Sequence, residues 1–400
     1  MTFASPNPAL ANRLPIPLGS LPQPIYLVGG SVRDLLMGRR VQGKQDFDLV
    51  TEEDPVGWGQ QLARDFKVGF VVLDAERRIV RLVFQSITLD IALQMGSSLT
   101  ADLGRRDFAC NAIAVELHHN LWVDPFNGRQ DIEQRQIRMV DPHNLTEDPL
   151  RLLRAYRQAA QLGFEIEPAT RVAIQQRGAL LQQVAAERVR AELDGLLLAG
   201  SPGLAQLADA HQDGILRHWL PLSLQIEAAQ QVQEWGIPLQ ASYPCCWATI
   251  QTALADQRPL HLMVIWGALL TGSLASISER VEVLHQLRYS RAEQQTLSRL
   301  LEGLAVFQAV MDRSEDVLVV YRLFQKLGSL LPGLMLLALA TGSRWQVARG
   351  WLERYEDPKD PLAHPVPLLD GRILMQALQL SPGPAVGQLL TQVGEHRPKD

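Results

Sequence analysis

Two carboxylates separated by one residue, Asp46 and Asp48, stand out in this chain of 400 residues. Successive side chains of a β-strand point to opposite faces, so both carboxylates share one face and Phe47 lies on the other. Adjacent carboxylates suit Mg²⁺, which prefers oxygen ligands and the phosphates of a substrate. The pair predicts a metal site for phosphoryl or nucleotidyl transfer, although two solvated aspartates on an exposed strand would give the same pattern.

A glycine turn precedes this pair. Residues 27–34 read as a buried strand, a turn at Gly29 and Gly30, and the first turn of a helix that contains Arg33. Backbone N–H groups at such a turn favour an anion. The Arg33 guanidinium can contact a phosphate or pair with a neighbouring aspartate on the surface. A nucleoside triphosphate is therefore the predicted ligand.

A third carboxylate, Asp90, lies in the apolar strand at residues 86–93. Alternation places Leu89 and Ile91 on one face and Asp90 on the opposite one. Asp90 can complete a catalytic set with Asp46 and Asp48, as in two-metal transfer, or be a polar residue on a half-buried strand.

A polar cluster at residues 102–112 includes Arg106, Asp107 and Asn111. These groups can hold ribose hydroxyls and phosphates, but they also fit a charged turn before a strand.

A basic helix is predicted from residue 150, with Asp148 as its cap. Arg151, Arg154 and Arg157 recur every three residues and share one side of it, which a solvated face also explains. An aspartate acceptor beside an arginine donor matches the pairing edges of cytosine and adenine and mismatches guanine and uracil.

The elements that must position these residues change in type along the chain. Short β runs and turns dominate residues 25–140, including a hairpin around residues 74–78, whereas helical spacing dominates after residue 141. Glycine and proline are expected to interrupt the helices at residues 200–202, 236–238 and 332–333. The prediction is an α+β fold, with a mixed, mostly antiparallel sheet and helices followed by an all-α region. Residues 1–24 are expected to be a poorly ordered lead-in.

Composition narrows the class of protein. The formal net charge of −5 means that any nucleic-acid site must be a local basic patch, and three cysteines cannot form a disulfide framework. The N-terminus lacks the layout of a signal peptide, and the longest apolar run, near residues 330–340, is too short to span a membrane. A cytoplasmic protein without a membrane partner is predicted.

The motifs together resemble the bacterial class II tRNA nucleotidyltransferase and poly(A) polymerase family. A glutamate–arginine helix at residues 187–193 and segments at 367–372 and 380–384 add to a resemblance that is close over residues 25–200. It implies a polymerase-beta-like head at residues 25–140, a neck at 141–200, a body at 201–300 and a tail at 301–400. The motifs occur in this order: residues 27–34, Asp46 with Asp48, Arg105-Arg106-Asp107-Phe108 with Asn111, and Glu147-Asp148 with Arg151, Arg154 and Arg157.

The resemblance implies addition of nucleotides from CTP and ATP to the 3′ end of tRNA with Mg²⁺. Arg106 and Asp107 would meet the ribose, and Asp148 and Arg151 would read the base. The alternatives are a poly(A) polymerase that uses ATP on general RNA and an inactive RNA-binding protein, against which the intact aspartate pair argues. The implied site comprises Asp46, Asp48 and Asp90 for catalysis, the first two as metal ligands, and Gly29, Gly30, Arg33, Arg106, Asp107, Asn111, Asp148, Arg151, Arg154 and Arg157 for nucleotide binding.

Three departures from the family pattern bear on specificity. Ala109-Cys110 replaces a usual Thr-Ile, and Gln158 replaces a usual phenylalanine. Only residues 94–101 separate the Asp90 strand from Asp102, where CCA-adding members carry a long flexible segment. Members that add only CC resemble this shortened form, so restriction to CC addition is predicted. The sequence leaves the oligomeric state open.

Overall fold

The computed structural model describes residues 13–39, 45–255, 258–272, 275–310, 317–364 and 371–379, with single residues at 383, 386 and 389. Its contacts form two compact units, Met1–Val184 with Asp209–Ile215, and Ala185–Ala208 with Leu216–Asp400. The division of the chain into head, neck, body and tail, which has four parts rather than two, therefore remains a proposal. The C-terminal segments that support the resemblance lie mostly outside the described residues.

A seven-stranded sheet forms the framework of the first unit. Its strands are β1 (Ile25–Val28), β2 (Gln45–Thr51), β3 (Gly69–Asp74), β4 (Ile79–Val83), β5 (Ile87–Leu93), β6 (Ala114–Glu116) and β7 (Leu121–Val123). They lie in the order β3-β4-β5-β2-β1-β6-β7. Only β2 and β5 pair in parallel and the other neighbours are antiparallel, which confirms the expected mixed sheet.

Seven α-helices accompany this sheet within the described part of the first unit's residues 13–184. A short parallel pair, β8 (Gln136–Ile137) with β9 (Glu165–Ile166), adds a small strand element to the region expected to be all helical. The helices are α1 (Gly30–Leu36), α2 (Pro55–Phe66), α3 (Leu99–Gly104), α4 (Gly128–Gln134), α5 (Pro142–Glu147), α6 (Leu150–Leu162) and α7 (Pro168–Arg177).

Helix α6 forms where the leucine, alanine and arginine pattern predicts it. Leu152, Leu153 and Tyr156 are buried on one side, and the three arginines are partly exposed on the other. The helix ends at Gly163, whose φ of 68° favours a residue without a Cβ. One face is thus fixed by packing, while the arginine side stays available to the site.

Residues 13–24 correct the expected lead-in. Leu14, Ile16 and Leu21 are buried, and a short 3₁₀ turn covers Leu18–Ser20. The proline-rich composition suggested disorder, but these apolar side chains have a core to pack against. Residues 1–12 of the lead-in lie outside the described residues.

The described residues of the second unit are almost all helical. Among them, β10 (Ala253–Ala255) pairs antiparallel with β11 (Arg258–Pro259), and the helices pack mainly around α12 (Leu260–Leu270) and α16 (Leu331–Ala340). The helices described from residue 185 onward are α8 (Ala186–Leu197), α9 (Ser201–Gln212), α10 (Ile226–Ser242), α11 (Pro244–Ile250), α12 (Leu260–Leu270), α13 (Ile277–Gln286), α14 (Arg291–Val310), α15 (Val317–Leu327), α16 (Leu331–Ala340), α17 (Trp345–Glu356) and α18 (Gly371–Leu378). The last residues of α9, from Asp209, belong to the first unit.

Two expectations fail in this unit. Helix α10 continues through Pro238, where a break was expected, because Gly236 and Leu239 are buried on either side of it and Gly236 packs against Trp247. The apolar segment Leu318–Ala340 is, with 23 residues, long enough to span a membrane, contrary to the sequence estimate. However, 78% of its most apolar part is buried inside the protein, as in a core helix.

The Tyr156 hydroxyl ties α6 to the segment that follows α9. It donates a hydrogen bond of 2.6 Å to Asp213, which also accepts from Arg171 and Gln175. We expect Tyr156→Phe to lower the free energy of unfolding by about 1 kcal/mol, measured by urea denaturation. Tyr355→Phe is the control, since it preserves the ring contact with His364. Equal stability of Tyr156→Phe and the native protein would contradict a stabilising bond.

Candidate active site

The paired carboxylates lie on β2 as the alternation predicts. Asp46 and Asp48 are exposed, whereas Phe47 and Leu49 are buried on the opposite face. The parallel pairing of β2 with β5 sets Asp48 beside Asp90 and Asp46 beside Thr88. Three carboxylates therefore lie together on two neighbouring interior strands of the sheet.

The orientation of Asp46 is fixed by a residue that sequence reasoning missed. The buried Thr88 hydroxyl donates to the Asp46 carboxylate, and the Ser31 hydroxyl donates to the Asp46 carbonyl at 2.9 Å. Thr88 lies two residues before Asp90 on the same strand face, which was the available signal.

Asp90 is held by an arginine from the neighbouring strand. Arg81, which pairs with Asp90 across β4 and β5, donates from Nε and Nη2 to both carboxylate oxygens at 2.6 and 2.7 Å. Among the described residues, no group of three or more His, Cys, Asp or Glu side chains is arranged to hold a metal ion. The pair Asp46 and Asp48 nevertheless fits a nucleotide-bound divalent ion, because phosphates and waters complete its oxygen ligands.

Asp48 faces both the other carboxylates and Arg106. Solvent reaches its side chain, but the surrounding protein atoms raise the pKa of the Asp48 carboxyl by desolvation. Arg106 lowers that pKa in part, while Asp90 and Asp46 raise it. The Arg106 Nε atom is buried and makes no hydrogen bond to any residue the structure describes. Concentrated negative charge beside an arginine suits a metal ion that carries an anionic substrate.

The turn between β1 and α1 is confirmed at Gly29. Its φ of 77° and ψ of −146° belong to a region that is essentially restricted to glycine. A Cβ at this position would lie 3.0 Å from Arg106 Nη1 and 3.3 Å from Asp48 Oδ2. The bare backbone of Gly29 thus lets an arginine and a carboxylate approach the turn, next to Gly30 at the start of α1.

For the nucleotidyl transfer that the sequence predicts, we expect Gly29→Ala to lower kcat/KM about tenfold, because strain and crowding displace Arg106 and Asp48. Gly57→Ala in α2 is the matched control, since nothing lies within 4 Å of a Cβ added there. Steady-state kinetics on both variants measures the difference. Native kinetics in Gly29→Ala would contradict the close approach.

Arg33 contacts the cluster of Arg106, Asp107 and Asn111, here named the ribose motif after the role that the family resemblance implies, rather than projecting into solvent. Its Nη1 donates to Asn111 Oδ1 at 2.7 Å, and its Nε and Nη2 donate to Asp34 Oδ1. Asn111 Nδ2 in turn donates to Asp107 Oδ1 at 2.9 Å, and Arg154 lies 3.6 Å from Asp107 Oδ2. The structure thus brings the glycine-turn arginine, the ribose motif and the basic helix into one cluster.

The remaining predicted residues lie along the start of α6. The Asp148 carboxylate accepts from the Leu150 N–H at 3.3 Å, so Asp148 caps the helix as predicted. Arg151 Nη1 donates to the Asn144 carbonyl at 3.1 Å. Arg157 Nη1 donates to Gln161 Oε1 one turn further along α6, and this hydrogen bond is separate from the cluster around Asp107.

Asn144 links the two ends of the site, although no sequence motif marks it as a site residue. The buried amide of Asn144 donates to the carbonyls of Gly104 and Arg106 at 2.7 and 2.9 Å, while its own carbonyl accepts from Arg151. The loop that carries Arg106 toward Asp48 is therefore fastened to the helix pair that carries Asp148 and Arg151.

Three family profiles match the chain. The Poly A polymerase head domain matches residues 25–95 and 92–138, and the probable RNA and SrmB-binding site of polymerase A matches 163–224. The putative tRNA nucleotidyltransferase domain 2 matches residues 263–397. The matches follow one another over most of the chain.

Curated relatives and solved structures agree with these profiles. The CC-adding tRNA nucleotidyltransferase of Synechocystis sp. is 37% identical over 392 residues, which cover 96% of this chain and 92% of the relative. The A-adding tRNA nucleotidyltransferase of Deinococcus radiodurans is 31% identical and covers 95% and 93%. A CCA-adding enzyme solved with ATP shares the fold, with a TM-score of 0.72, 21% identity and coverage of 93% and 85%. This chain, a nucleotidyltransferase, belongs to the tRNA nucleotidyltransferase family.

Proposed function

We propose that this protein adds cytidine nucleotides from CTP to the 3′ end of tRNA and stops after CC. The observation that carries the proposal is that Asn144 hydrogen-bonds to both Arg106 and Arg151, while the charge of Arg106 acts on Asp48. Through these contacts, the Asp46 and Asp48 pair, which suits phosphate chemistry, is connected to Arg151 and Asp148, a donor and an acceptor that suit base selection. The Synechocystis relative, which matches nearly the whole chain, is named as CC-adding.

The short segment before the ribose motif supports the restriction to CC. The Gln94 N–H donates to the Thr51 carbonyl at 2.7 Å, and the Met95 N–H donates to the Asp102 carboxylate at 2.9 Å. Ser98 then caps α3 by accepting from the Ala101 N–H. Residues 94–101 are thus tied at both ends, which leaves little chain to move between a cytidine-adding and an adenosine-adding arrangement.

The proposed reaction is a single in-line displacement. The terminal hydroxyl of the RNA attacks the α-phosphorus of CTP and gives up its proton to solvent, a new oxygen–phosphorus bond forms, the bond between the α-phosphorus and the bridging oxygen breaks, and pyrophosphate leaves with its electrons. Asp46 and Asp48 would hold the divalent ion that the family uses, for which we propose Mg²⁺, and the ion would neutralise phosphate charge. Thr88 and Ser31 keep Asp46 oriented, and Arg106 adds positive charge beside Asp48.

The other site residues would bind and select the nucleotide. Arg33, Asp107 and Asn111 form the part of the cluster proposed to meet the phosphates and ribose. Asp148 and Arg151 would accept from and donate to the pairing edge of cytosine. Gly30, Arg154 and Arg157 complete the proposed nucleotide site, and Asp90 is proposed to support catalysis as the partner of Arg81. We place this activity in the cytoplasm, where tRNA is processed.

Three tRNA substrates test the proposal, ending before CCA, after the first C and after CC. With CTP and ATP present together, we expect extension of the first two to CC and no addition to the third, followed on sequencing gels. Robust addition of the terminal A would overturn the restriction and favour a CCA- or A-adding enzyme. Extension of unrelated RNA with ATP alone would favour a poly(A) polymerase.

A further inference from the structure

A buried glutamine on α6 contacts the ribose motif. Gln158 follows Arg157 in the sequence and takes the place where the family pattern has phenylalanine. It is only 7% exposed, and its neighbours Asp107 and Asn111 are 8% and 6% exposed. A phenylalanine here would pack in the same space but could make neither hydrogen bond. The departure therefore adds polar contacts next to residues proposed to bind the nucleotide.

The polarity of these contacts follows from the donor and acceptor inventory of each side chain. Arg33 can only donate, so the Asn111 atom that faces it must be the oxygen. The Asn111 amide nitrogen then donates to Asp107 Oδ1 and to Gln158 Oε1, both at 2.9 Å. The Gln158 amide nitrogen is left facing Asp107 Oδ2 at 3.5 Å. Only one orientation of each side-chain amide, that of Asn111 and that of Gln158, matches every donor in this cluster with an acceptor.

The two oxygens of Asp107 are not equivalent in this arrangement. Oδ1 accepts two short bonds, from the Phe108 N–H at 2.8 Å and from Asn111 at 2.9 Å. Oδ2 has longer contacts, at 3.5 Å to Gln158 and 3.6 Å to Arg154. Oδ2 is therefore the oxygen with capacity for a short bond from a ligand hydroxyl, and the Gln158 amide lies beside it.

We propose that Gln158 is a positioning residue that orients Asp107 and Asn111 so that the site recognises the 2′-hydroxyl of a ribonucleotide. The inference rests on the proposed function, since that hydroxyl belongs to the nucleotide substrate. Without the glutamine amide, Asn111 loses one acceptor and Asp107 loses one donor, so the direction of Asp107 Oδ2 is held by fewer contacts. A hydroxyl gains little from an acceptor whose direction varies, whereas a deoxyribonucleotide loses nothing.

The test compares CTP with dCTP in Gln158→Met, which keeps the length of the side chain and removes both hydrogen bonds. We expect kcat/KM for CTP to fall about tenfold, mainly through KM, while the value for dCTP stays unchanged. Equilibrium binding of the two nucleotides to the full-length protein should show the same selective loss. Gln182→Met, at an exposed position of the same unit, is the matched control and should behave as the native protein.

Several results would overturn the inference. Equal losses with CTP and dCTP would mean that Gln158 acts only on the overall structure, and native kinetics with both nucleotides would mean that it does not orient the ribose contacts. If Gln158→Met melts early, Gln158→Glu provides a second readout, because its carboxylate faces Asp107 and should also reduce the preference for CTP over dCTP. A native protein that prefers CTP through Gln158 but does not extend tRNA would refute the proposed function and leave this inference standing.

Discussion

Replacing Asp48 with asparagine is expected to reduce CTP incorporation by about 10³-fold or more. The change keeps the shape of the side chain but removes a charged oxygen ligand, and metal stabilisation of the transferring phosphate contributes several kcal/mol. Binding of tRNA should remain, because Asp48 would contact the ion and the nucleotide rather than the tRNA body. Single-turnover incorporation and tRNA gel shifts measure the two properties separately. Asp65→Asn, on the exposed side of α2, is the control and should retain full activity.

The same substitution should make the metal-free protein more stable. The pKa of Asp48 is raised in the folded state, first by desolvation and also by Asp90 and Asp46. An acid with a raised folded pKa contributes stability at low pH and loses it as pH rises through that pKa, so ionised Asp48 destabilises the protein at pH 8. Asp48→Asn should therefore raise Tm at pH 8, with a gain that shrinks as pH falls toward the ordinary value of 3.8.

Adding Mg²⁺ gives a readout that does not depend on turnover. The ion should raise Tm of the native protein, because it binds the folded state, and should have little effect on Asp48→Asn. A native protein that is indifferent to Mg²⁺, together with an active Asp48→Asn variant, would remove the carboxylate pair from the mechanism.

Local patterns predicted the individual elements well. Alternation placed Asp46 and Asp48 together on β2, and apolar spacing placed α6 at residues 150–162 with its arginines on one side. Both depend on periodicity within a few residues, which the backbone geometry of one strand or helix enforces. The break expected at Pro238 was wrong because burial of the flanking residues outweighed a local helix-breaking tendency.

Contacts between distant elements were beyond sequence reasoning. Asp48 meets Asp90 only because β2 and β5 pair in parallel, although two antiparallel strands separate them in the chain. Arg81 belongs to no sequence motif, but the register of β4 with β5 brings it onto Asp90. Asn144 has no motif of its own, and its role as a link depends on where α5 lies against the loop before β6. These registers join residues that are far apart in the chain, so no local sequence pattern encodes them.

Base selection should depend most strongly on Arg151. Its guanidinium donates to the carbonyl of Asn144, which also holds the Arg106 loop, so its position is set before a nucleotide binds. A donor fixed in this way favours cytosine, which has a ring-nitrogen acceptor on its pairing edge, over uracil, which has a donor at that position. We expect Arg151→Ala to reduce the preference for CTP over UTP by about 10- to 100-fold, since a paired base contact contributes about 1–3 kcal/mol of discrimination.

The measurement is kcat/KM for CTP and for UTP on a tRNA that ends before CCA. Loss of Arg151 should lower the value for CTP strongly and raise or spare that for UTP, which separates lost selection from general damage. Arg64→Ala on α2 is the matched control for removal of an exposed arginine, and it should leave the ratio unchanged. If Arg151→Ala excludes UTP and GTP as strictly as the native protein, Arg151 does not read the base. Selection would then have to come from Asp148 and the shape of the site, even though Asn144 still joins Arg151 to the catalytic loop.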